Sequence, residues 1–505
     1  MKFFRPAMKL FRVEGGIHPE YRKERTQGDE IVHLAKMPRN LYLPLKQHAG
    51  AAAELVVTSG KRVKKGELLA KAHGMVSAPI HAPTSGHIVN INDMVSPHPS
   101  GIAQPTIVLR SDGKDEWGEL PPGFDDPFAV EPAEIDARVA WAGIVGLGGA
   151  AFPSAVKFGL RAKKPDTLIL NGAECEPYLT CDDRIMQERS KEVVVGARIM
   201  AHALQVSRIV IAIETNKPAA IAAMTAAAAP YAEVTVMPIP VQYPMGSEKH
   251  LTKAITGRET PAGQLTADVG VVVHNVGTAR AVREAVRFGR PLISRVITLS
   301  GAGLTRGMNI EVPLGTMVVD LIEFCGGFKD GKAPHRLVSG GPMMGQPLPS
   351  LEVPVVKGTC GILALTKEEI NEQPTGPCIR CGSCVSVCPC GLVPLEMAGF
   401  IRHDKLEEAE KAGVRDCVSC GSCSYICPSH IPLVQYFNYA KGRLNTDDRD
   451  RRKQDRLKLL VEARMARMEK QRKAKAEAAA AAAAAKKAAA AKPTPAPTEE
   501  PKASA

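Results

Sequence analysis

The sequence predicts a multidomain chain that joins an α/β core to β-rich modules. Three observations predict it. Short Val/Ile/Leu runs broken by glycine turns fill residues 56–89 and return over 291–350, the pattern of small β modules. Between them, buried-strand runs alternate with helical stretches, as in an α/β layer. Beyond residue 366 stand two near-identical cysteine runs in a chain of 505 residues, long enough for several packed units.

In chain order, residues 1 to about 50 open on Gly15-Gly16-Ile17-His18-Pro19 and show no clear period. Val56-Val57, the Gly60–Ala70 stretch and Ala82–Val89 define a β module expected over 1–125. It resembles the flattened lipoyl/biotinyl-carrier barrel. His73-Gly74-Met75 stands at the hairpin tip where a carrier lysine would sit, so the module reads as structural.

Residues 120–130, rich in Pro, Gly and Asp, mark a boundary. The α/β region is expected over 126–290, with strands at Thr167–Leu170 and Arg208–Ile213 and helices at 190–204 and 217–228. A compact β-rich module, β-grasp-like, is expected over 291–355, and the cysteine region over 366–444 with a helical link from Leu395 to Ala412. The tail, 445–505, carries Leu457, Leu460, Val461, Met465 and Met468 at helical spacing. From Ala478 it turns to alanine and lysine and then to proline, so a frayed, mobile end is expected.

The cysteine runs are Cys378, Cys381, Cys384, Cys388-Pro389 and Cys417, Cys420, Cys423, Cys427-Pro428. Each is C-x2-C-x2-C-x3-C-P, the run that wraps a [4Fe–4S] cubane in two-cluster bacterial ferredoxins, and Gly382 and Gly421 suit the tight loops. In that ferredoxin-like arrangement the fourth cysteine crosses to the other cluster. One cluster then takes Cys378, Cys381, Cys384 and Cys427, the other Cys388, Cys417, Cys420 and Cys423. Structural zinc would need two Cys pairs in total, and a disulfide framework would not clump its cysteines. Cys175, Cys181, Cys325, Cys360 and Cys390 fall outside the pattern and read mostly as small buried residues.

Net charge is +12, but residues 451–492 hold 14 Lys/Arg against 4 Asp/Glu, so +10 of it lies in the tail. A nearly neutral body with a basic appendage argues against nucleic-acid binding. No stretch reaches the roughly 18 apolar residues of a membrane span, and the opening Met1–Pro6 is broken before a signal core forms. A cytoplasmic chain is expected.

A second informative segment is the loop Gly146-Leu147-Gly148-Gly149-Ala150-Ala151-Phe152, followed by Lys157. Such glycines let backbone N–H groups approach a phosphate, although taken alone they read more readily as a plain turn. Asn171-Gly172-Ala173-Glu174-Cys175-Glu176, Tyr243–Lys249 and Val273–Thr278 follow it. In order and spacing the four segments resemble the flavin- and NADH-binding subunit of respiratory complex I. The resemblance implies FMN near Gly146, Gly148, Gly149, Lys157, Asn171, Glu174, Asn275 and Thr278, with Phe152 and Glu176 on the NADH side. Leu147, Ala151 and Ala173 stand where that family has arginine, glycine and aspartate.

From its Gly-Gly-Ile-His-Pro start to the paired cysteine runs, the chain resembles the C subunit of the Rnf/Rsx-type electron transport complex over roughly residues 10–445. The resemblance implies a peripheral subunit on the cytoplasmic side of the inner membrane, bound through integral-membrane and ferredoxin-like partner subunits. It implies NADH as substrate and FMN and two [4Fe–4S] clusters as cofactors. The alternative is a non-catalytic electron wire or docking subunit with clusters and no working flavin site.

Overall fold

A computed structural model describes residues 10–490, with one compact unit up to Phe437 and a second beginning at Asn438. At the centre of the first lies a four-stranded sheet. Its order is Val234–Ile239, Arg208–Glu214, Thr167–Gly172, Val271–Asn275, and every pairing is parallel. Leu168, Ile169, Leu170, Val210, Ile211 and Ile213 are fully buried, as strands covered on both faces must be. The helices are α1 (Pro132–Trp141), α2 (Ser154–Phe158), α3 (Cys181–Glu188), α4 (Ser190–Leu204), α5 (Pro218–Ala228), α6 (Glu248–Thr256) and α7 (Val276–Phe288). The expected strands and the 190–204 and 217–228 helices are among them. α1 buries Ile135 and Val139 and runs into the glycine loop.

Ahead of this core, Asn40–Pro44, Ala103–Ser111, Gly86–Val95 and Arg62–Val63 make one antiparallel sheet, and Glu54–Leu55, Leu68–Lys71 and Ile80–His81 a second. Alternate residues Leu41, Leu43, Ile107 and Leu109 fill the space between them. Met75, at the tip between Leu68–Lys71 and Ile80–His81, is 94% exposed.

The third module is a six-stranded sheet, Val32–His33, Met308–Pro313, Ser294–Ser300, Gly361–Leu365, Arg336–Ser339, Gln346–Pro347. Two of its strands lie outside the expected 291–355. Gly361–Leu365 runs parallel to Ser294–Ser300 and antiparallel to Arg336–Ser339, so it sits mid-sheet. Val32–His33 comes from the segment assigned to the first module and pairs with Ile310–Glu311.

The cysteine region contains two short helices, Pro394–Arg402 and Leu406–Lys411, where one link was expected. A helix that starts at Leu433 continues without a break to Ala490, through Gly442 and the expected boundary at 445. Its residues 451–490, which make up most of the second unit, are exposed throughout. Alanine's high helix propensity accounts for this without any packed face, and the frayed tail expected there is a regular helix to Ala490. The Pro-rich end lies outside the described residues. Among the described residues no helix is long and apolar enough to cross a membrane.

α4 and α7 pack closely enough that a β-carbon at Gly196 would come 1.8 Å from the Ala279 carbonyl oxygen. Gly196→Ala should therefore destabilise the fold by about 1–3 kcal/mol through overpacking, measured as a lower midpoint in denaturant unfolding.

Candidate functional site

Parallel strands open their C-terminal ends toward ligands. Here Asn275 ends its strand and is the register partner of Asn171, the last residue but one of the adjacent strand. Asn275 caps α7: its Oδ1 accepts the N–H of Gly277 at 2.8 Å and of Thr278 at 3.4 Å, while Nδ2 donates to Asp182 Oδ2 at 2.6 Å. Thr278 Oγ1 accepts the Leu147 N–H at 2.9 Å, which anchors the glycine loop on the first turn of α7. The loop closes on itself through Gly146 N–H to Phe152 O at 2.7 Å. Its crown, Gly148 to Ala150, is exposed, and a β-carbon at Gly149 would meet nothing within 4 Å.

Lys157, on α2, pairs with Glu248 and donates to the Val273 carbonyl at 3.0 Å. Asn171 Nδ2 donates to Gly246 O at 2.7 Å. Glu174 turns its carboxylate onto the start of α3, accepting from Asp182 N at 2.9 Å and Asp183 N at 3.2 Å. Glu176 accepts from Met343 N at 3.1 Å and Met344 N at 2.9 Å, so it anchors the turn after Arg336–Ser339. Phe152 is half-buried beside the loop.

The segments converge as expected, but the side chains divide into two groups. Asn171, Glu174, Glu176, Asn275 and Thr278 are held by protein hydrogen bonds and build the frame. The open surface for a phosphate is the glycine crown, with the Lys157 ammonium nearby. An exposed glycine backbone at the C-terminal edge of a parallel sheet, beside a capped 13-residue helix, fits an FMN phosphate.

Four contributors were not foreseen. Asp182 is held up to about 7 by burial first and then by the Glu174 carboxylate, against the Asn275 amide and Arg295. Glu248 partners Lys157. Lys23 donates to the carbonyl oxygens of Glu174 and Leu179, and Lys217 pairs with Glu214 and reaches the Glu174 carbonyl at 3.4 Å. Within Tyr21-Arg22-Lys23-Glu24-Arg25, Lys23 reads as one solvated charge among several, and no sequence signal marks it as buried.

The two cysteine runs adopt one conformation twice. Arg380 and Gly382 have φ of +56° and +78°, and their counterparts Ser419 and Gly421 have +55° and +79°. Each glycine leads into a single helical turn, Ser383–Ser386 or Ser422–Tyr425. The fourth cysteines cross over. Burial and then the thiols of Cys420, Cys417 and Cys388 push Cys423 up to about 12, and burial raises Cys384 with Cys381 and Cys427 as neighbours.

Cys388, Cys417, Cys420 and Cys423 line a small cavity walled by Leu392, Pro394, Met397, Val434 and Phe437. Burial raises Cys388, Cys420 and Cys423, so these thiols resist ionisation unless a cationic core binds them, which suits an iron–sulfur cluster. Cys390 lines the same cavity as a fifth thiol, while Cys378 and Cys381 are exposed.

Four family models match in succession. They are the RnfC barrel sandwich hybrid domain over residues 11–114, the Nuo51 FMN-binding domain over 139–284, the SLBB domain over 296–347 and a 4Fe-4S dicluster domain over 374–431. The C subunit of the ion-translocating oxidoreductase complex of Rhodobacter capsulatus is 55% identical over 441 residues, 87% of this chain and 84% of that one. The C subunit of the proton-translocating ferredoxin:NAD(+) oxidoreductase complex of Clostridium ljungdahlii is 46% identical over 436 residues, 86% of this chain and 94% of that one. Among solved structures, an air-oxidized NAD+-reducing [NiFe]-hydrogenase overlaps 62% of this chain and 61% of that chain at TM-score 0.45 and 19% identity.

Ala151 has φ of +47° where the flavin-domain pattern has glycine. Ala151→Gly should stabilise the protein by about 1 kcal/mol by removing the left-handed penalty, seen as a higher melting temperature. Burial raises Glu176 to about 7 from its ordinary 4.5, against the two amides that bind it. Between those pH values the folded chain keeps a proton that the unfolded chain has released, so this group erodes stability as pH rises. In denaturant melts from about pH 5 to about pH 8, Glu176→Gln should gain on the wild type as pH increases.

Proposed function

The chain belongs to the family of ion-translocating oxidoreductase complex C subunits, and on that premise we propose that it is the electron-input subunit of such a complex. It takes electrons from NADH and passes them singly through two [4Fe–4S] clusters to partner subunits, coupling NADH/ferredoxin electron transfer to ion movement. The observation that carries this reading is the cavity in which Cys388 of the first run meets Cys417, Cys420 and Cys423 of the second, with Cys427 of the second run neighbouring Cys384 of the first. Cys378 and Cys381 complete the set of Cys384 and Cys427.

FMN supplies the conversion the side chains cannot, accepting hydride as a two-electron unit and releasing electrons one at a time. The chain's own residues hold and shape the site. Backbone N–H groups of Gly148 and Gly149 and the Lys157 ammonium would bind the phosphate, while the Gly146 N–H closes the loop on the Phe152 carbonyl. Asn171 and Asn275 flank the flavin, and Thr278 and Glu174 keep the loop and α3 in place. Phe152 borders the NADH side, whereas Glu176 fixes the neighbouring turn. Membrane attachment belongs to integral-membrane and ferredoxin-like partners, on the cytoplasmic side of the inner membrane.

Anaerobic purification with flavin and iron analysis, followed by NADH titration, tests the reading. The expected protein carries about eight irons with its flavin, and NADH bleaches the cluster absorbance. Bleaching by dithionite but not by NADH would make the chain an electron wire. Lys157→Ala should lower retained FMN several-fold and leave the iron content unchanged.

A further inference from the structure

The two cysteine sets differ in what they touch. Tyr243 is 1% exposed and donates its phenol proton to the Cys420 carbonyl at 2.6 Å. It packs in one apolar cluster with Ile17, Cys175 and Cys420, closed by Met343, Val387 and Val418. Cys175 lies between Glu174 and Glu176 on the loop that leaves the Asn171 strand, and its sulfur accepts the Gly246 N–H at 3.4 Å. A single layer of side chains therefore separates the flavin-domain strand ends from the second cysteine run.

Other contacts press the set of Cys388, Cys417, Cys420 and Cys423 against the body, most of them at the end of the first run around Cys388. The Gly16 N–H donates to Val387 O at 2.9 Å, and His250 on α6 bonds Pro389 O at 2.9 Å. Gly263 N–H donates to Asp416 Oδ1 at 3.1 Å. A β-carbon at Gly15 would lie 2.7 Å from the Cys388 carbonyl oxygen, so the approach there is as close as backbone permits.

The start of the first run, Cys378 to Cys384, is placed otherwise. The bonds made just ahead of it, Thr375 to His430 O and Gly376 to Ser429 O, stay within the cysteine region. Cys378 and Cys381 are exposed, and Ile379 is 66% exposed.

We propose that the cluster held by Cys388, Cys417, Cys420 and Cys423 is the point of electron entry, reached across Tyr243 and Cys175, and that the cluster of Cys378, Cys381, Cys384 and Cys427 is the point of exit. The proposal rests on the flavin and cluster assignment above and adds the order. Electron transfer between fixed centres falls steeply with the gap, so the set packed one side chain from the flavin domain is reduced first. Each step moves one electron, oxidising the donor by one and reducing the cluster by one, and over two such steps the reduced flavin would also release to solvent the proton that arrived with the hydride. NADH restores the flavin by giving up hydride and leaving as NAD+.

EPR on the full-length holoprotein tests the order. Cys417→Ser and Cys378→Ser change the ligand of one cluster each and so label its signal. In freeze-quenched samples after mixing with NADH, the signal altered by Cys417→Ser should appear before the one altered by Cys378→Ser; the reverse order overturns the proposal. In dithionite titrations, Tyr243→Phe should shift the midpoint of the Cys417-labelled cluster alone. A shift confined to the other cluster, or no shift in either, overturns it as well. If NADH reduces neither cluster while dithionite reduces both, the NADH-oxidising function falls, and the Tyr243→Phe titration still decides the order.

Discussion

The parallel pairing of Thr167–Gly172 with Val271–Asn275 is the constraint on which the flavin-side geometry depends. It sets Asn171 opposite Asn275. From that pair run the bond to Gly246, the cap on α7, the hold on Asp182 and, one helical turn later, the Thr278 anchor of the glycine loop. A slip of one residue would bring His274 or Gly172 to the edge and turn the asparagines to the opposite face. The buried Leu/Ile/Val runs of both strands make such a slip costly, so the hydrophobic pattern of the core also fixes the chemistry at its rim.

Residues 15–33 tie the modules together. Gly15 and Gly16 lie against the end of the first cysteine run at Val387–Pro389, Ile17 bridges to Tyr243, and Val32–His33 completes the edge of the six-stranded sheet. Burial lowers the pKa of Lys23, and the carbonyls of Glu174 and Leu179 compensate its ammonium, as a buried cation requires. This segment follows no helical or strand period because it crosses several surfaces, each asking something different of one or two residues.

That explains which parts of the molecule were legible in the sequence. The cysteine runs were, because four thiols must fit one metal core and the spacing is dictated by covalent reach. The 167–170 and 208–213 strands and the 190–204 helix were, because each buries a continuous apolar face. Gly361–Leu365 was not, since five residues after a glycine turn read as a link until neighbouring strands supply its partners. The carboxylates Glu174 and Glu176 were visible as a pair. Their separate anchoring roles were not, because the α3 amides and the 343–344 amides reach them only after folding. Ala151 showed as a departure from pattern, but its left-handed backbone could not be read from composition.

On the ligand sets proposed above, each run would lend its last cysteine to the other's cluster, so neither could be loaded with iron and sulfide by itself. A delivery protein bringing a cubane to the nascent chain would find three thiolates in place and the fourth absent until the segment from Pro389 to Asp416 had doubled back. On that assignment the helices Pro394–Arg402 and Leu406–Lys411 would set the distance over which the chain must double back before both ligand sets are complete.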